Sequence, residues 1–231
     1  MKFSLAKKII VLALILALPG FLYYLLTAEG KNRYKPLPIY GPKPLSGTFH
    51  KVHGKSIPDT LYHTVADFNL TDENGYAVSF KNFDKKIMLV NFFYTGCTTN
   101  CNQINTNVDS IAVHYAKNKM VKFVTITVDP NKDTPAVLKA YAAKFKSAPN
   151  WQFLTGDTTN IYNFARKGLL VDAMQRGKGD FIYSDKIILL DSEHHIRGYY
   201  SGILIDDLIR LNDEIKVMIA EELRRNDKPL Y

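Results

Sequence analysis

Two cysteines, Cys97 and Cys101, are the only ones in the chain of 231 residues and lie four positions apart. They follow the apolar run from Ile87 to Phe93, which predicts a strand buried on both faces, and they begin a predicted helix. Residues four apart on a helix share one face, with Cβ atoms about 5–6 Å apart. This spacing permits a reversible disulfide, and it also lets both sulfurs bind one soft ion such as Cu(I).

The position of the pair assigns a role to each cysteine. We expect Cys97 to be the attacking thiolate and Cys101 the resolving thiol, because a helix N-terminus favours a thiolate at its first position. The alternative is that both cysteines only fill the core, since free cysteine is often buried. Their location between a strand and a helix, with no other cysteine present, favours a functional pair.

Strand and helix patterns alternate around the pair. A hairpin that turns at Asn74-Gly75 precedes the first buried strand. Helices are predicted over residues 98–117, 158–168 and 203–225 and from Thr134-Pro135 onward, strands over 121–128, 151–154, 186–190 and 196–200, and a loop over 171–183. This order predicts an α/β thioredoxin-like fold, with the cysteines at the position of that fold's active site.

The N-terminal segment has a different composition. The uncharged run from Ile9 to Ala28 predicts a transmembrane helix, because about 20 apolar residues span a bilayer. A cleavable signal peptide is the competing interpretation, but the run is long for one and no clear cleavage site follows. Prolines and glycines then predict an extended tether. The predicted division is a membrane anchor at 1–30, a tether at 31–64 and a thioredoxin-like domain at 65–231.

The net charge of +8 is concentrated in the same N-terminal segment. Nine of the 30 basic residues but only two of the 22 acidic ones precede Leu61, which leaves the rest of the chain almost neutral. A nucleic-acid-binding domain needs a basic face on the fold itself, so nucleic acid is not an expected partner. We expect a single-pass protein of the bacterial cytoplasmic (inner) membrane, with its domain on the periplasmic, extracytoplasmic side.

The chain resembles the Sco/SenC family of copper-binding assembly factors for cytochrome c oxidase. The resemblance is carried by NFFYTGCTTNC at 91–101, ITVDPNKDTPAVLKAYAAKF at 126–145, WQFLTG at 151–156 and RGYYSG at 197–202. It covers the chain from about Val65 onward and implies the thioredoxin-like fold independently of the element order.

The resemblance also implies site residues and partners. Cys97 and Cys101 would be both the copper ligands and the redox pair, and the family's third ligand, a histidine, corresponds to Tyr183. A phenol with a pKa near 10 is a poor substitute for imidazole on Cu(I). His194 and His195 are expected to solvate a distant hairpin tip. The implied partner is an oxidase subunit or another copper or thiol carrier protein.

Two functions remain open from the sequence. The expected one is a membrane-anchored, extracytoplasmic Sco-like protein in cytochrome c oxidase assembly, which binds copper, exchanges disulfides or does both through Cys97 and Cys101. The alternative is a thiol–disulfide oxidoreductase of the thioredoxin superfamily that no longer binds copper. The intact cysteine pair argues against a third class, a non-catalytic membrane-tethered binding module.

Overall fold

A computed structural model of the chain describes residues 5–28, 36–52, 54–98, 100–146, 149–177 and 179–226. The chain divides into two units, Met1–Pro36 and Leu37–Tyr231. The first contains helix α1 (Leu5–Ala28), which covers the segment predicted to be transmembrane. Within the described ranges, no helix is both long enough and apolar enough to cross a membrane, so the predicted transmembrane helix is not supported.

The second unit contains the strands and the other helices. The strands among its described residues are β1 (Leu45–Val52), β2 (Lys55–Thr60), β3 (Leu70–Asp72), β4 (Ala77–Val78), β5 (Ile87–Phe93), β6 (Val121–Thr127), β7 (Trp151–Thr155), β8 (Ala173–Gly177), β9 (Asp180–Tyr183), β10 (Lys186–Leu190) and β11 (Ile196–Ser201). The helices are α2 (Cys101–His114), α3 (Pro135–Ala142), α4 (Thr158–Asn163) and α5 (Ile205–Asn226), with a 3₁₀ turn at Phe80–Phe83 and a π-helical turn at Phe164–Gly168.

Seven strands form one mixed sheet in the order β11-β10-β5-β6-β7-β3-β4. The central strands β5, β6 and β7 are parallel, and the strands outside them are antiparallel to their neighbours. Helices α2 and α3 connect the parallel strands, as crossover connections of such strands require. The order of parallel strands followed by an antiparallel hairpin and a closing helix is the predicted thioredoxin-like arrangement.

The sheet separates two apolar cores, and β5 contributes to both. Its alternate residues Ile87, Leu89 and Phe93 pack with residues of α2, α3 and α5, while Met88 and Val90 pack on the opposite face with α4. All seven residues of β5 are buried. A strand covered on both faces has no polar face, which explains the continuous apolar run in its sequence.

Local sequence signals set several element ends. The Thr134 hydroxyl accepts a hydrogen bond from the Val137 N–H, and Pro135 is the first residue of α3, as predicted. The hairpin turn at Asn74-Gly75 is also confirmed, with Gly75 at a φ of 89°. In α5, Asp206 and Asp207 lie in the first turn and Arg224 and Arg225 in the last. These charges complement the helix dipole.

Three predictions about local structure are wrong. α2 begins at Cys101 rather than at residue 98, residues 173–183 form the hairpin β8–β9 rather than a loop, and the predicted tether contains the hairpin β1–β2. Both hairpins are largely exposed, so neither has the alternation of apolar and polar residues by which a half-buried strand is recognised. Gly54 and Gly179 lie at the turns of these hairpins, and Gly47 lies at the irregularity in β1.

Candidate redox and metal site

The cysteines lie where β5 leaves the sheet. The strand ends at Phe93, whose carbonyl accepts a hydrogen bond of 2.8 Å from the Val128 N–H beyond the neighbouring strand. A turn follows, in which the Cys97 N–H donates to the Tyr94 carbonyl over 3.2 Å. The helix starts after Asn100, whose carbonyl accepts the first helical hydrogen bond from Ile104. Cys97 is therefore in the loop and only Cys101 is on the helix.

Cys97 and Cys101 form a disulfide with a Cα–Cα distance of 6.0 Å. Both residues are buried, but Cys97 retains 7% of its surface and Cys101 only 1%. The expectation that Cys97 occupies the helix N-terminus is wrong, because Cys101 is the first helical residue. The dipole of α2 therefore favours a thiolate on Cys101, whereas Cys97 is the sulfur that an incoming reactant reaches more easily.

Tyr183, the last residue of β9, brings its hydroxyl to both sulfurs. The distance is 2.8 Å to Cys101 Sγ and 3.2 Å to Cys97 Sγ. A disulfide sulfur has no hydrogen, so the phenol is the donor in this state. Tyr94 packs edge-on against the Tyr183 ring at 5.8 Å between centroids, and Tyr94 also contacts Phe181. The resemblance identified the position of Tyr183, but no local pattern predicted its contact with the sulfurs.

A buried carboxylate anchors the loop that carries Cys97. Asp133, only 1% exposed, accepts a hydrogen bond of 3.0 Å from the Thr95 N–H and further bonds from the hydroxyls of Thr95 and Thr127. Thr95 lies two residues before Cys97, so this carboxylate helps to fix the loop that carries Cys97. Thr95 and Asp133 are 38 positions apart, so no local pattern in the sequence indicates their contact.

A buried polar chain ties α2 to the sheet below the disulfide. Trp151 Nε1 donates to the Thr125 hydroxyl at 2.8 Å, which donates to Asn91 at 2.7 Å. Asn91 donates to Asn105 at 3.0 Å, and Asn105 donates to the Tyr141 hydroxyl at 3.1 Å. The Tyr141 hydroxyl lies 3.3 Å from the Asn102 side-chain oxygen. Burial raises the pKa of Tyr141, so its hydroxyl remains protonated and donates to Asn102, next to Cys101. The sequence signal for this hydrogen-bonded network is Asn91, a polar residue within the apolar run of β5. The sequence analysis did not identify it.

The described histidines lie elsewhere. His194 and His195 are in the turn between β10 and β11, at the end of β10 opposite Tyr183. The prediction that they are solvated residues at a hairpin tip is wrong, because both make contacts within the protein. His194 stacks on Phe80 at 3.8 Å between ring centroids, and burial lowers the pKa of His194, while His195 bonds to Asp191. His50 pairs with Asp59, His63 with the Gly168 carbonyl and His114 packs on Tyr115; His53 lies outside the described residues.

The donor atoms at the site fit a soft ion only in part. Over the ranges that the structure describes, no three or more His, Cys, Asp or Glu side chains cluster as a metal site. After reduction, Cys97 and Cys101 would present two thiolates, which suit Cu(I). The Tyr183 phenol oxygen lies close to both sulfurs. A protonated phenol is a weak ligand for Cu(I). The arrangement therefore matches thiol–disulfide chemistry more completely than three-coordinate copper binding.

Comparison with known proteins places the chain in one family. The family model SCO1/SenC matches residues 58–219. The SCO1 protein homolog of Bacillus subtilis (strain 168) is 28% identical over 154 residues, which is 65% of this chain and 80% of that protein. Sco proteins of this family take part in cytochrome c oxidase assembly and copper binding.

Two solved structures share the fold. BsSco, a member of the Sco family of cytochrome c oxidase assembly proteins in which a disulfide switch was identified, has a TM-score of 0.60 and 26% identity, covering 68% of this chain and 94% of that one. Bradyrhizobium japonicum ScoI with copper bound has a TM-score of 0.57 and 26% identity, covering 67% and 99%. With its thioredoxin-like fold and the family match over most of its length, the chain belongs to the SCO1/SenC family.

Proposed function

We propose that this chain acts in cytochrome c oxidase assembly by thiol–disulfide exchange through Cys97 and Cys101. The observation that carries the proposal is the disulfide between them, with one phenol hydroxyl within hydrogen-bond distance of both sulfurs. Thiol–disulfide exchange needs a cysteine that a partner can reach, and of these two buried residues Cys97 keeps the larger exposed fraction, 7% against 1% for Cys101. The disulfide switch identified in BsSco supports the same chemistry here.

Copper transfer is the second candidate function. One supporting observation is that the two cysteine sulfurs are adjacent and could bind one ion after reduction. The other is that the related ScoI of Bradyrhizobium japonicum has been solved with copper bound. Copper would be cargo that binds the reduced pair. Tyr183 disfavours tight copper binding. Its phenol oxygen lies 2.8 Å from one sulfur and 3.2 Å from the other, so it occupies the space that a copper ion bound to both sulfurs would need. The partner we propose is an oxidase subunit or another copper or thiol carrier protein.

The function predicts the result of a complementation experiment. In a bacterium that lacks its own Sco protein, the full chain is expected to restore cytochrome c oxidase activity. The double variant Cys97→Ser/Cys101→Ser should restore less than a tenth of it at equal protein level. Ser110→Ala, an exposed serine on α2, is the control and should behave as the natural chain. Equal activity of the double variant and the natural chain would contradict the proposal.

We also propose that residues 1–30 anchor the protein in the bacterial cytoplasmic membrane and that the domain from residue 65 is extracytoplasmic. The support is the uncharged run from Ile9 to Ala28, which follows Lys7 and Lys8. An oxidising compartment would also allow the disulfide to persist.

The anchor predicts a result for reporter fusions. A reporter joined after Tyr231 that is active only outside the cytoplasm should be active, and the fusion should stay in the membrane fraction in high salt. A matched fusion that lacks residues 1–30 should be inactive, because nothing would export the domain. Activity of a cytoplasm-specific reporter, or full release by salt, would contradict the proposed topology.

A further inference from the structure

The phenol of Tyr183 is aimed at the atoms that react. Its oxygen lies 2.8 Å from Cys101 Sγ and 3.2 Å from Cys97 Sγ, and in these two contacts the phenol is the donor, because a disulfide sulfur carries no hydrogen. A disulfide sulfur is a weak acceptor, whereas a thiolate is a strong, charged one. The same hydrogen bond therefore becomes stronger when the disulfide is reduced.

We propose that Tyr183 is a catalytic residue that stabilises the Cys101 thiolate as it leaves the disulfide. This inference rests on the proposed thiol–disulfide function and assigns a role within it to a side chain that occupies the position of the family's metal-binding histidine. It also names the substrate class, which is a protein dithiol.

The proposed exchange has two steps. A thiolate of the partner dithiol attacks Cys97 Sγ, the Sγ–Sγ bond breaks, and its electron pair goes to Cys101 Sγ. Cys97 and the partner now share a mixed disulfide, and Cys101 is a thiolate that accepts the Tyr183 hydrogen bond. The partner's second thiolate then attacks the partner sulfur of the mixed disulfide and releases the Cys97 thiolate, which takes up a proton from water. The partner is oxidised and this chain is reduced by two electrons.

Several observations make Cys101 the leaving sulfur. It has the shorter distance to the phenol, and with 1% exposure its thiolate could obtain little stabilisation from water. A buried charge without a donor is costly, so the phenol and the first amides of α2 supply what water does not. Cys97, the more exposed sulfur, remains the one that the partner attacks.

The phenol is held in place by the hairpin β8–β9. Tyr183 pairs with Ala173 in the hairpin register, and Ala173 is buried in the core beside α4. Directly after the strand, the Ser184 N–H donates to the Asp172 carbonyl over 3.0 Å. Tyr94 packs edge-on against the Tyr183 ring. A donor fixed in this way needs no reorganisation when the charge appears on the sulfur.

The test compares the full-length natural protein with Tyr183→Phe, which keeps the ring and removes only the donor. Dithiothreitol is expected to reduce the disulfide of Tyr183→Phe about tenfold more slowly, because a hydrogen bond to a charged group is lost. In a glutathione redox buffer, the equilibrium should shift about tenfold toward the disulfide, which is about 30 mV for a two-electron couple. Tyr199→Phe is the control, since it removes a phenol hydrogen bond to the Leu169 carbonyl away from the site.

A second variant covers the case in which Tyr183→Phe does not fold. Difluorotyrosine at position 183 keeps the shape of the side chain but is a stronger donor, so it should shift the equilibrium toward the dithiol when measured while the phenol is protonated. If the natural protein exchanges normally and neither variant moves the potential, the role of Tyr183 is refuted and the proposed function survives. If the natural disulfide does not exchange with thiols at all, the proposed function and this inference both fail.

Discussion

Cys101→Ser is expected to trap a partner protein as a stable mixed disulfide, whereas Cys97→Ser should trap none and lose exchange completely. In Cys101→Ser, the Cys97 thiolate can still attack the disulfide form of the partner, which is the reverse of the proposed step, but no Cys101 thiol remains to resolve the mixed disulfide. In Cys97→Ser, the remaining cysteine is Cys101, which is only 1% exposed. In the reduced natural protein, Cys97 should accordingly alkylate faster than Cys101. Non-reducing electrophoresis and alkylation followed by mass spectrometry measure these outcomes.

The two serine variants are matched controls for each other. Each loses the same disulfide, which closes a short loop and contributes about 2 kcal/mol to the free energy of unfolding. A difference in trapping between them therefore reflects the roles of the sulfurs rather than stability. Trapping by Cys97→Ser alone would reverse the assignment, and equal alkylation rates together with no trapping by either variant would leave the cysteines as core residues.

Tyr183→His is expected to bind Cu(I) at least tenfold more tightly than the natural protein, a gain of about 1.4 kcal/mol. The physical reason is both chemical and spatial. An imidazole nitrogen is a better ligand for this ion than a protonated phenol. Imidazole is also a shorter side chain, so it withdraws from the sulfurs and leaves room for the ion between them. Titration of the reduced protein against a competing Cu(I) chelator measures the change.

Ile182→His provides the matched control for this copper prediction. It introduces the same residue one position earlier on β9, where side chains point to the other face of the hairpin. Its affinity should equal that of the natural protein. Tyr183→His should also gain a thiolate-to-Cu(II) charge-transfer band, and Cys97→Ser should abolish binding in both backgrounds. If the natural protein already binds tightly and Tyr183→His changes nothing, another side chain completes the site.

The predictions for Tyr183→Phe and Tyr183→His both depend on the phenol, and they separate its two consequences. As a hydrogen-bond donor it favours the thiolate, and as an occupant of the space beside the sulfurs it disfavours a metal ion. Tyr183→Phe removes the first effect and keeps most of the second, while Tyr183→His relieves the second. The pair of variants therefore distinguishes a protein adapted to thiol–disulfide exchange from one that transfers copper.

The sequence alone determined the elements whose signals are local. The apolar run of β5, the cap of α3 at Thr134-Pro135 and the turn at Asn74-Gly75 each depend on neighbouring residues, and each is confirmed. The order of these elements was enough to predict the fold class and the place of the cysteines in it. The family resemblance added Tyr183 as the position equivalent to the histidine, which no periodicity indicates.

Only the tertiary structure decided how the site is built. The contacts of Tyr183 with the two sulfurs join residues 82 and 86 positions apart, and Asp133 holds Thr95 across 38. Such contacts leave no periodic trace, because each depends on one side chain and on the packing of separate elements. The start of α2 at Cys101 and the pairing of the largely exposed hairpin β8–β9 were likewise visible only in the structure. The sequence therefore determined that Cys97 and Cys101 lie together after β5. The tertiary structure determined that the Tyr183 hydroxyl is within hydrogen-bond distance of both sulfurs.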